Sequence, residues 1–143
     1  MMKFALPIFC LLWSLSTLHA DFVTETIDQI NVERQKSGLQ TLTDDPTLDS
    51  IAQEWAEKLA DQQFLQHRST GGLKEFLIRY GWRGMNENLH RSTAPVTPAF
   101  VVKCWMDSPV HHENLLRAKI TKVGIGVKTG TDGLTYVVFN GAF

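Results

Sequence analysis

Apolar residues beyond the first twenty positions recur every three or four residues, as on one face of a helix. This spacing predicts a first helix from Thr24 to about Lys36, with Ile27 and Ile30 facing inward and Arg34 on its side. Gly38 follows the last turn. A glycine there is a typical helix stop, because it adopts the left-handed backbone without steric cost.

The longest predicted helix begins at Asp44-Asp45-Pro46 and ends at about Gln63. An aspartate accepts hydrogen bonds from the free N–H groups of a first helical turn, and proline suits the first position because it has no N–H. A continuous apolar stripe supports this helix. Its members are Leu48, Ile51, Ala52, Trp55, Ala56, Leu59 and Ala60.

Two further helices are predicted with less apolar surface. After a loop at Gly71-Gly72 and before a stop at Gly81, a short helix is outlined by Leu73, Phe76, Leu77 and Tyr80. A later helix starts at Thr97-Pro98, where threonine can cap the first turn. Its inward positions are Phe100, Val101, Cys104 and Trp105.

Alternating apolar residues predict strands in the second half of the chain. Met85 to Leu89 is expected to be a strand that ends in a loop, because Arg91 to Val96 contains Ser, Thr and Pro. Two alternating runs flank the turn-rich segment Thr129 to Gly133 and predict an antiparallel hairpin. They are Val123, Ile125, Val127 and Thr135, Val137, Phe139. Helices around a small antiparallel sheet indicate an α+β layered domain.

The segment from Trp105 to Leu116 carries the most distinctive pattern. Ser108-Pro109 interrupts the preceding helix and predicts the start of another, with the Ser108 hydroxyl as its cap. His111 then falls in the first turn. The positive end of the helix dipole disfavours a charged imidazole there, which leaves the ring available as a base or a metal ligand.

Composition favours one exported domain. A chain of 143 residues, 43% apolar and 20% charged, is typical of a single globular domain. Residues 1–20 contain one early lysine, an apolar run from Phe4 to Trp13 and a His19-Ala20 end, which predicts a secretory signal cleaved after Ala20. The apolar run is too short for a membrane span. The remaining domain, residues 21–143, is expected to be periplasmic or extracellular.

Charge and cysteine content narrow the range of partners. The 14 basic residues are scattered singly among 15 acidic ones, which argues against nucleic acid as a partner. After cleavage Cys104 is the only thiol, so no internal disulfide can form. It is interpreted as a small buried apolar residue, with a dimer-forming thiol as the alternative. A monomer is expected.

The motif Trp-x-x-Ser-Pro-x-His-x-x-Asn-Leu, at Trp105 to Leu115, resembles the signature of bacterial CAP-superfamily domains, the group of cysteine-rich secretory proteins, antigen 5 and pathogenesis-related proteins. Asn86-Glu87-Asn88-Leu89 is similar to the Gly-Glu-Asn-Leu of that superfamily, and His67 after the long helix matches as well. The resemblance covers about Ile27 to Phe143. It implies a three-layer α-β-α sandwich.

The resemblance also implies a cleft. His67 and His111 match the two cleft histidines of the superfamily, and Glu87 matches its first cleft glutamate. Ser108 stands where animal members place a second glutamate, which puts any mechanism with a paired acid and base in doubt. Asn86 replaces a glycine, and asparagine tolerates a left-handed backbone better than most residues.

Two imidazoles and one carboxylate can hold a divalent ion with an open position, and this ligand set suits zinc. Alternatively, the carboxylate orients one imidazole through its ring N–H. A serine hydrolase is disfavoured, because a capping Ser108 lacks the exposed elbow of a nucleophile, and Cys104 is expected to be buried. His112 is expected to face solvent, and His90 to be a loop residue.

The sequence therefore predicts an exported CAP binding module whose cleft takes a divalent metal and a lipid, peptide or protein ligand. One alternative is a metal-dependent peptidase in which Glu87 is the base and a histidine-bound ion activates water, so that Glu87 and His111 are the catalytic candidates. Another is a structural or interaction protein with a vestigial cleft. Fold similarity does not decide among them.

Overall fold

The computed structural model describes residues 9–93 and 95–143, with side chains described from Leu18 onward. Its elements, in chain order, are α1 (Phe9–Lys36), β1 (Thr43–Asp44), α2 (Pro46–Gln62), α3 (Thr70–Tyr80), β2 (Met85–Thr93), α4 (Pro98–Met106), α5 (Pro109–Leu115), β3 (Lys122–Thr129) and β4 (Leu134–Ala142). The strands form one sheet in the order β1-β3-β4-β2. β1 is parallel to β3, and the other pairs are antiparallel.

The two faces of the sheet bury two different sets of helices. One face carries Val123 and Ile125 of β3 and Val137 and Phe139 of β4, which pack against α1 and α4. The opposite face carries Leu89 of β2 with two residues of β4 and packs against α2. This arrangement confirms the predicted α+β fold with three layers.

Glycines in β3 bring α2 directly onto the sheet. Gly124 and Gly126 alternate with the buried valine and isoleucine residues, so both face α2. A Cβ at Gly124 would lie 2.1 Å from the Leu48 carbonyl carbon, and one at Gly126 would lie 2.3 Å from that of Ala52. Only residues without a side chain allow such a close approach of helix and strand.

Several predicted boundaries are confirmed. Asp45 caps α2, since its Oδ1 accepts hydrogen bonds from the N–H groups of Thr47 at 2.9 Å and Leu48 at 3.2 Å. Gly38 and Gly81 follow their helices with φ of 70° and 67°. The hairpin of β3 and β4 has the expected alternation. Local capping and turn chemistry therefore decided these boundaries.

The predicted start of the first helix is wrong. α1 is already helical at Phe9, the first described residue, and continues through Ala20 to Lys36. The segment between Trp13 and Thr24 contains no glycine or proline that would interrupt a helix. The predicted signal lies partly outside the described residues, at Met1–Ile8, and its cleavage remains a prediction. None of the helices in the described part of the chain has the length and hydropathy that a membrane span requires.

Three local predictions also need correction. Gly71-Gly72 lies in the first turn of α3, because Ser69 caps that helix by accepting a hydrogen bond from the Gly72 N–H at 3.1 Å. β2 extends to Thr93, since its end still pairs with the start of β4, so His90 is a strand residue. Asn86 pairs with Gly141 within the sheet and does not adopt a left-handed backbone.

Arg34, predicted on the side of the first helix, is fully buried. Its guanidinium donates hydrogen bonds to the backbone carbonyls of Gln40 at 2.8 Å, Leu115 at 2.7 Å and Arg117 at 3.1 Å. Burial lowers the pKa of this group. Since Leu115 ends α5, Arg34 places a cation at the negative end of that helix. It thereby fastens the helix that carries His111 to α1.

Candidate functional site

His67 and Glu87 are in direct contact. His67 lies in the loop between α2 and α3, and Glu87 lies in β2. The ring Nδ1 is 3.0 Å from Glu87 Oε1; the imidazole side chain is 58% exposed, whereas the carboxylate side chain is 3% exposed. The structure thus brings together two of the residues singled out in the sequence, with the histidine at the surface and the glutamate below it.

A third residue, Arg68, takes part in this contact, and sequence reasoning missed it. Its Nη1 donates to Glu87 Oε2 at 2.7 Å and to Asn140 Oδ1 at 3.1 Å. Its backbone N–H donates to Glu87 Oε1 at 3.1 Å. The Arg68 side chain is only 7% exposed, so this is a buried ion pair. Burial lowers the pKa of the guanidinium, and the charge of Glu87 opposes that effect.

Aromatic rings hold the Arg68 guanidinium in place. Its Cζ lies 4.8 Å from the centroid of Trp55 in α2 and 5.5 Å from that of Phe76 in α3. Its Nη2 also donates to the Ile51 carbonyl. A cation over an aromatic face gains electrostatic stabilisation, more so when it is desolvated. Together with the contacts to Glu87 and Asn140, four elements, α2, α3, β2 and β4, therefore fix the position of this side chain.

The Glu87 carboxylate has four hydrogen-bond donors around it. Oε1 contacts His67 Nδ1 and the Arg68 N–H, and Oε2 contacts Arg68 Nη1 and Asn140 Nδ2, the last at 3.4 Å. A carboxylate has about four lone-pair positions, so its accepting capacity is filled. The arrangement matches the alternative in which the carboxylate orients an imidazole. It leaves Glu87 little capacity to bind a metal or to accept a proton from water.

His111 lies in α5, which hydrogen bonds join to β2. It is half-buried in the first turn of α5, which begins at Pro109 as expected. Burial lowers the pKa of His111, and the positive charge that His67 can carry lowers it further. Burial is the main cause of the lowered pKa of His111, whereas the sequence suggested the helix dipole.

The predicted cap by the Ser108 hydroxyl is wrong. Ser108 occupies the N-cap position of α5, but its side chain makes no capping hydrogen bond. Backbone contacts stabilise the turn instead, since the His112 N–H donates to the Ser108 carbonyl at 2.8 Å. Proline at the first position already removes one N–H that would need a partner.

Asparagine side chains join α5 to β2 and so set the position of His111. Asn88 Nδ2 donates to the His111 carbonyl at 2.9 Å, and Asn86 Nδ2 donates to the Asn114 carbonyl at 2.9 Å. In return Asn114 Nδ2 donates to the Glu87 carbonyl at 3.3 Å and to Asn88 Oδ1 at 2.9 Å. β2 is an edge strand, and the bond from Asn114 to the Glu87 carbonyl satisfies one backbone group of its open edge.

The remaining motif residues are structural. Trp105 is buried, and its Nε1–H donates to the Leu89 carbonyl, also on β2, at 3.1 Å. Leu115 is completely buried in the core. The tryptophan, asparagine and leucine of the motif thus serve to hold α4 and α5 against β2.

The other candidate side chains are more peripheral. His90 is half-buried, with its ring edge on Phe100 at a centroid distance of 5.7 Å and its Nε2 at 3.0 Å from Ser92 Oγ. Burial lowers the pKa of His90, with a smaller contribution from His111. His112, expected to face solvent, is half-buried, and Cys104 is a free, half-buried thiol.

The donor set fits a metal only in part. Within residues 9–93 and 95–143, no three His, Cys, Asp or Glu side chains are placed so that they could jointly hold an ion. The three-residue ligand set of His67, His111 and Glu87 therefore does not fit. His67 has one feature of a metal ligand, because histidine ligands commonly donate their other ring N–H to a carboxylate, as His67 Nδ1 can to Glu87.

Known proteins share this sequence and fold. YkwD of Bacillus subtilis is 35% identical over 114 residues, which cover 75% of this chain, and the chain spans only 43% of YkwD. An outer surface protein of Borrelia burgdorferi has a similar structure, with a TM-score of 0.70, 26% identity, and coverage of 81% of this chain and 87% of that one.

An extracellular protein of Bacillus anthracis that contains an SCP domain matches with a TM-score of 0.71 at 19% identity, covering 96% of this chain and 44% of that one. At that identity the match shows the fold alone. The sequence also matches the family described as "CAP: Cysteine-rich secretory protein family" over residues 27–140, close to the limits expected from its motifs. This chain belongs to the CAP, or cysteine-rich secretory protein, family.

Proposed function

We propose that this chain is an exported CAP-domain binding module in which His67 and His111 take a divalent metal such as zinc. The observation that carries the proposal is the contact between His67 Nδ1 and the buried Glu87 carboxylate at 3.0 Å. A carboxylate in this position makes the second ring nitrogen of the histidine a better metal ligand.

The chemistry of the two rings supports this proposal. Once Nδ1–H donates to Glu87, the lone pair of His67 is on Nε2, and this ring is largely exposed. Burial lowers the pKa of His111, which favours the neutral ring that a metal ligand must have. Imidazole nitrogen suits zinc, copper, iron and nickel. Two protein ligands leave positions on the ion for water or for a ligand of the module.

Export is proposed on two grounds. Residues 1–20 have the pattern of a secretory signal. Two proteins of similar structure carry names that place them at the outer surface or outside the cell. Mass spectrometry of the exported protein tests this point: a mature start at Asp21 is expected, and retention of the first twenty residues would contradict it.

A metal-dependent peptidase is less well supported. A general base must accept a proton from water, but the Glu87 oxygens already accept from His67, Arg68 and Asn140. Serine at position 108 supplies no second carboxylate. If the chain were such a peptidase, a peptide library would be cleaved, and cleavage would stop with a chelator and in Glu87→Gln.

Calorimetry with zinc tests the binding proposal. Wild-type protein is expected to bind one ion, and His67→Ala and His111→Ala are each expected to weaken binding at least about tenfold by removing one of two ligands. His112→Ala is a matched control, because its ring is on the same helix but outside the proposed site. Equal affinity in all four proteins, or no binding by the wild type, would refute the metal site.

A further inference from the structure

Arg68 forms the link between the core and the exposed His67 ring. We propose that Arg68 is the positioning residue of the histidine site: its guanidinium fixes the Glu87 carboxylate, and this carboxylate fixes the orientation and tautomer of His67. This role rests on the proposed function insofar as the site binds metal. The positioning itself can be measured without metal.

Arg68 has a single defined position. Its side chain is 7% exposed and makes hydrogen bonds to three separate segments, at Glu87, Asn140 and Ile51. Trp55 and Phe76 lie within cation–π distance of it. A planar guanidinium can satisfy several acceptors at once in a fixed geometry, whereas an ammonium group acts as a point charge.

The Glu87 carboxylate depends on the Arg68 guanidinium for its position. Arg68 Nη1 lies 2.7 Å from Glu87 Oε2, whereas the other donor to that oxygen, Asn140 Nδ2, lies 3.4 Å away. Arg68 therefore provides the shorter of the two contacts that hold Oε2. A buried carboxylate that loses its cationic partner is strongly destabilised and rearranges towards other donors or water. Without the guanidinium, the carboxylate keeps only the Arg68 backbone N–H on Oε1 and the longer Asn140 contact on Oε2, and these two no longer fix its alignment with the imidazole.

The position of Glu87 in turn decides which tautomer His67 adopts. A neutral imidazole carries its proton on either nitrogen, and the hydrogen bond made by one nitrogen decides which one is protonated. Glu87 Oε1, 3.0 Å from Nδ1, selects the Nδ1–H form and leaves Nε2 as the acceptor or ligand. If Glu87 moves, both tautomers are populated and part of the protein presents Nε2–H, which cannot bind a metal.

The test combines ring ¹⁵N NMR of metal-free protein at about pH 8, where a histidine of ordinary pKa is neutral, with zinc calorimetry. The variants are Arg68→Met, which removes the positive charge, and Arg68→Lys, which keeps the charge but lacks the planar guanidinium with its several N–H donors. Lys58→Met is the matched control, because Lys58 Nζ lies 4.9 Å from the same Trp55 ring. Loss of that cation tests the aromatic packing without touching Glu87.

Wild type and Lys58→Met are expected to show His67 in the Nδ1–H form. Arg68→Met is expected to show mixed tautomers and a zinc affinity lower by roughly 10- to 100-fold. If Arg68→Met does not fold, Arg68→Lys decides, and it should show mixed tautomers because one ammonium cannot bind all three acceptors. The wild-type tautomer in either folded Arg68 variant overturns the proposal. Wild-type protein that binds no zinc contradicts the proposed function, while the metal-free spectra still decide the role of Arg68.

Discussion

Asp49 carries an electrostatic cost that a single substitution should remove. It lies in α2 with Asp44 and Asp45 nearby, and its pKa is raised from 3.8 to about 6, mainly by burial and further by Asp44. Its Oδ1 accepts the Ile125 N–H at 2.8 Å, a bond that favours the charged form but does not outweigh the other effects. The amide oxygen of an asparagine can accept the same bond, so Asp49→Asn removes the charge without losing the bond.

The sign and size of the effect of Asp49 on stability follow from the difference in proton binding between the folded and the unfolded protein. Because the pKa is higher in the folded state, folded protein binds more protons between about pH 4 and pH 6, and stability falls as pH rises through that window. A pKa higher by about two corresponds to ~3 kcal/mol. Asp49 is only half-buried, and solvent screening reduces this to about 1–2 kcal/mol.

Urea denaturation at about pH 4 and about pH 7.5, on either side of that window, measures the effect. Asp49→Asn should be more stable than wild type by about 1–2 kcal/mol at the higher pH and nearly equal to it at the lower pH. Asp61→Asn, an exposed substitution on the same helix, should change stability by less than about 0.5 kcal/mol at both. An Asp49→Asn protein that is not stabilised at the higher pH, or whose gain is the same at the lower pH, would refute this reasoning.

Three further substitutions, one of them paired with a second glycine-to-alanine change as its control, test how the fold supports the site. Arg34→Met should lower the free energy of unfolding in urea by about 3 kcal/mol or more, since it leaves several buried carbonyls without a hydrogen-bond donor. A loss below about 1 kcal/mol would contradict the anchoring role of Arg34. Gly126→Ala should cost about 3 kcal/mol by forcing α2 off the sheet, whereas Gly71→Ala, at an open position in α3, should be neutral or slightly stabilising in the same assay. Asn88→Ala should cost about 2 kcal/mol and weaken zinc binding by displacing α5; unchanged zinc affinity in a folded protein would separate this residue from the site.

The features that could be predicted from the sequence are those decided by local chemistry. Asp45-Pro46 caps its helix through contacts two and three residues away, and the β3–β4 hairpin follows from alternation around a turn. Where the local signal was incomplete, prediction failed. Ser108 has the residue type of a cap but not the hydrogen bond, and nothing in the sequence interrupts α1 before Thr24.

The roles of Arg34, Arg68 and Glu87 depend on contacts between distant parts of the chain. Arg34 binds the Leu115 carbonyl, 81 residues away, and Arg68 binds Glu87, 19 residues away. A charged residue is usually expected at the surface, so burial of these side chains becomes evident only when their partners are known. The family motif indicated Glu87 and both histidines. It did not indicate that the hydrogen-bonding capacity of the glutamate is filled, in part by an arginine.

The most direct test of the central claim is anomalous diffraction at the zinc edge from crystals grown with an equimolar amount of zinc. We expect a single peak bound by His67 Nε2 and His111, with Glu87 still paired to Arg68 and to His67 Nδ1. A peak on the Glu87 carboxylate, or an ion bound away from both histidines, would contradict it.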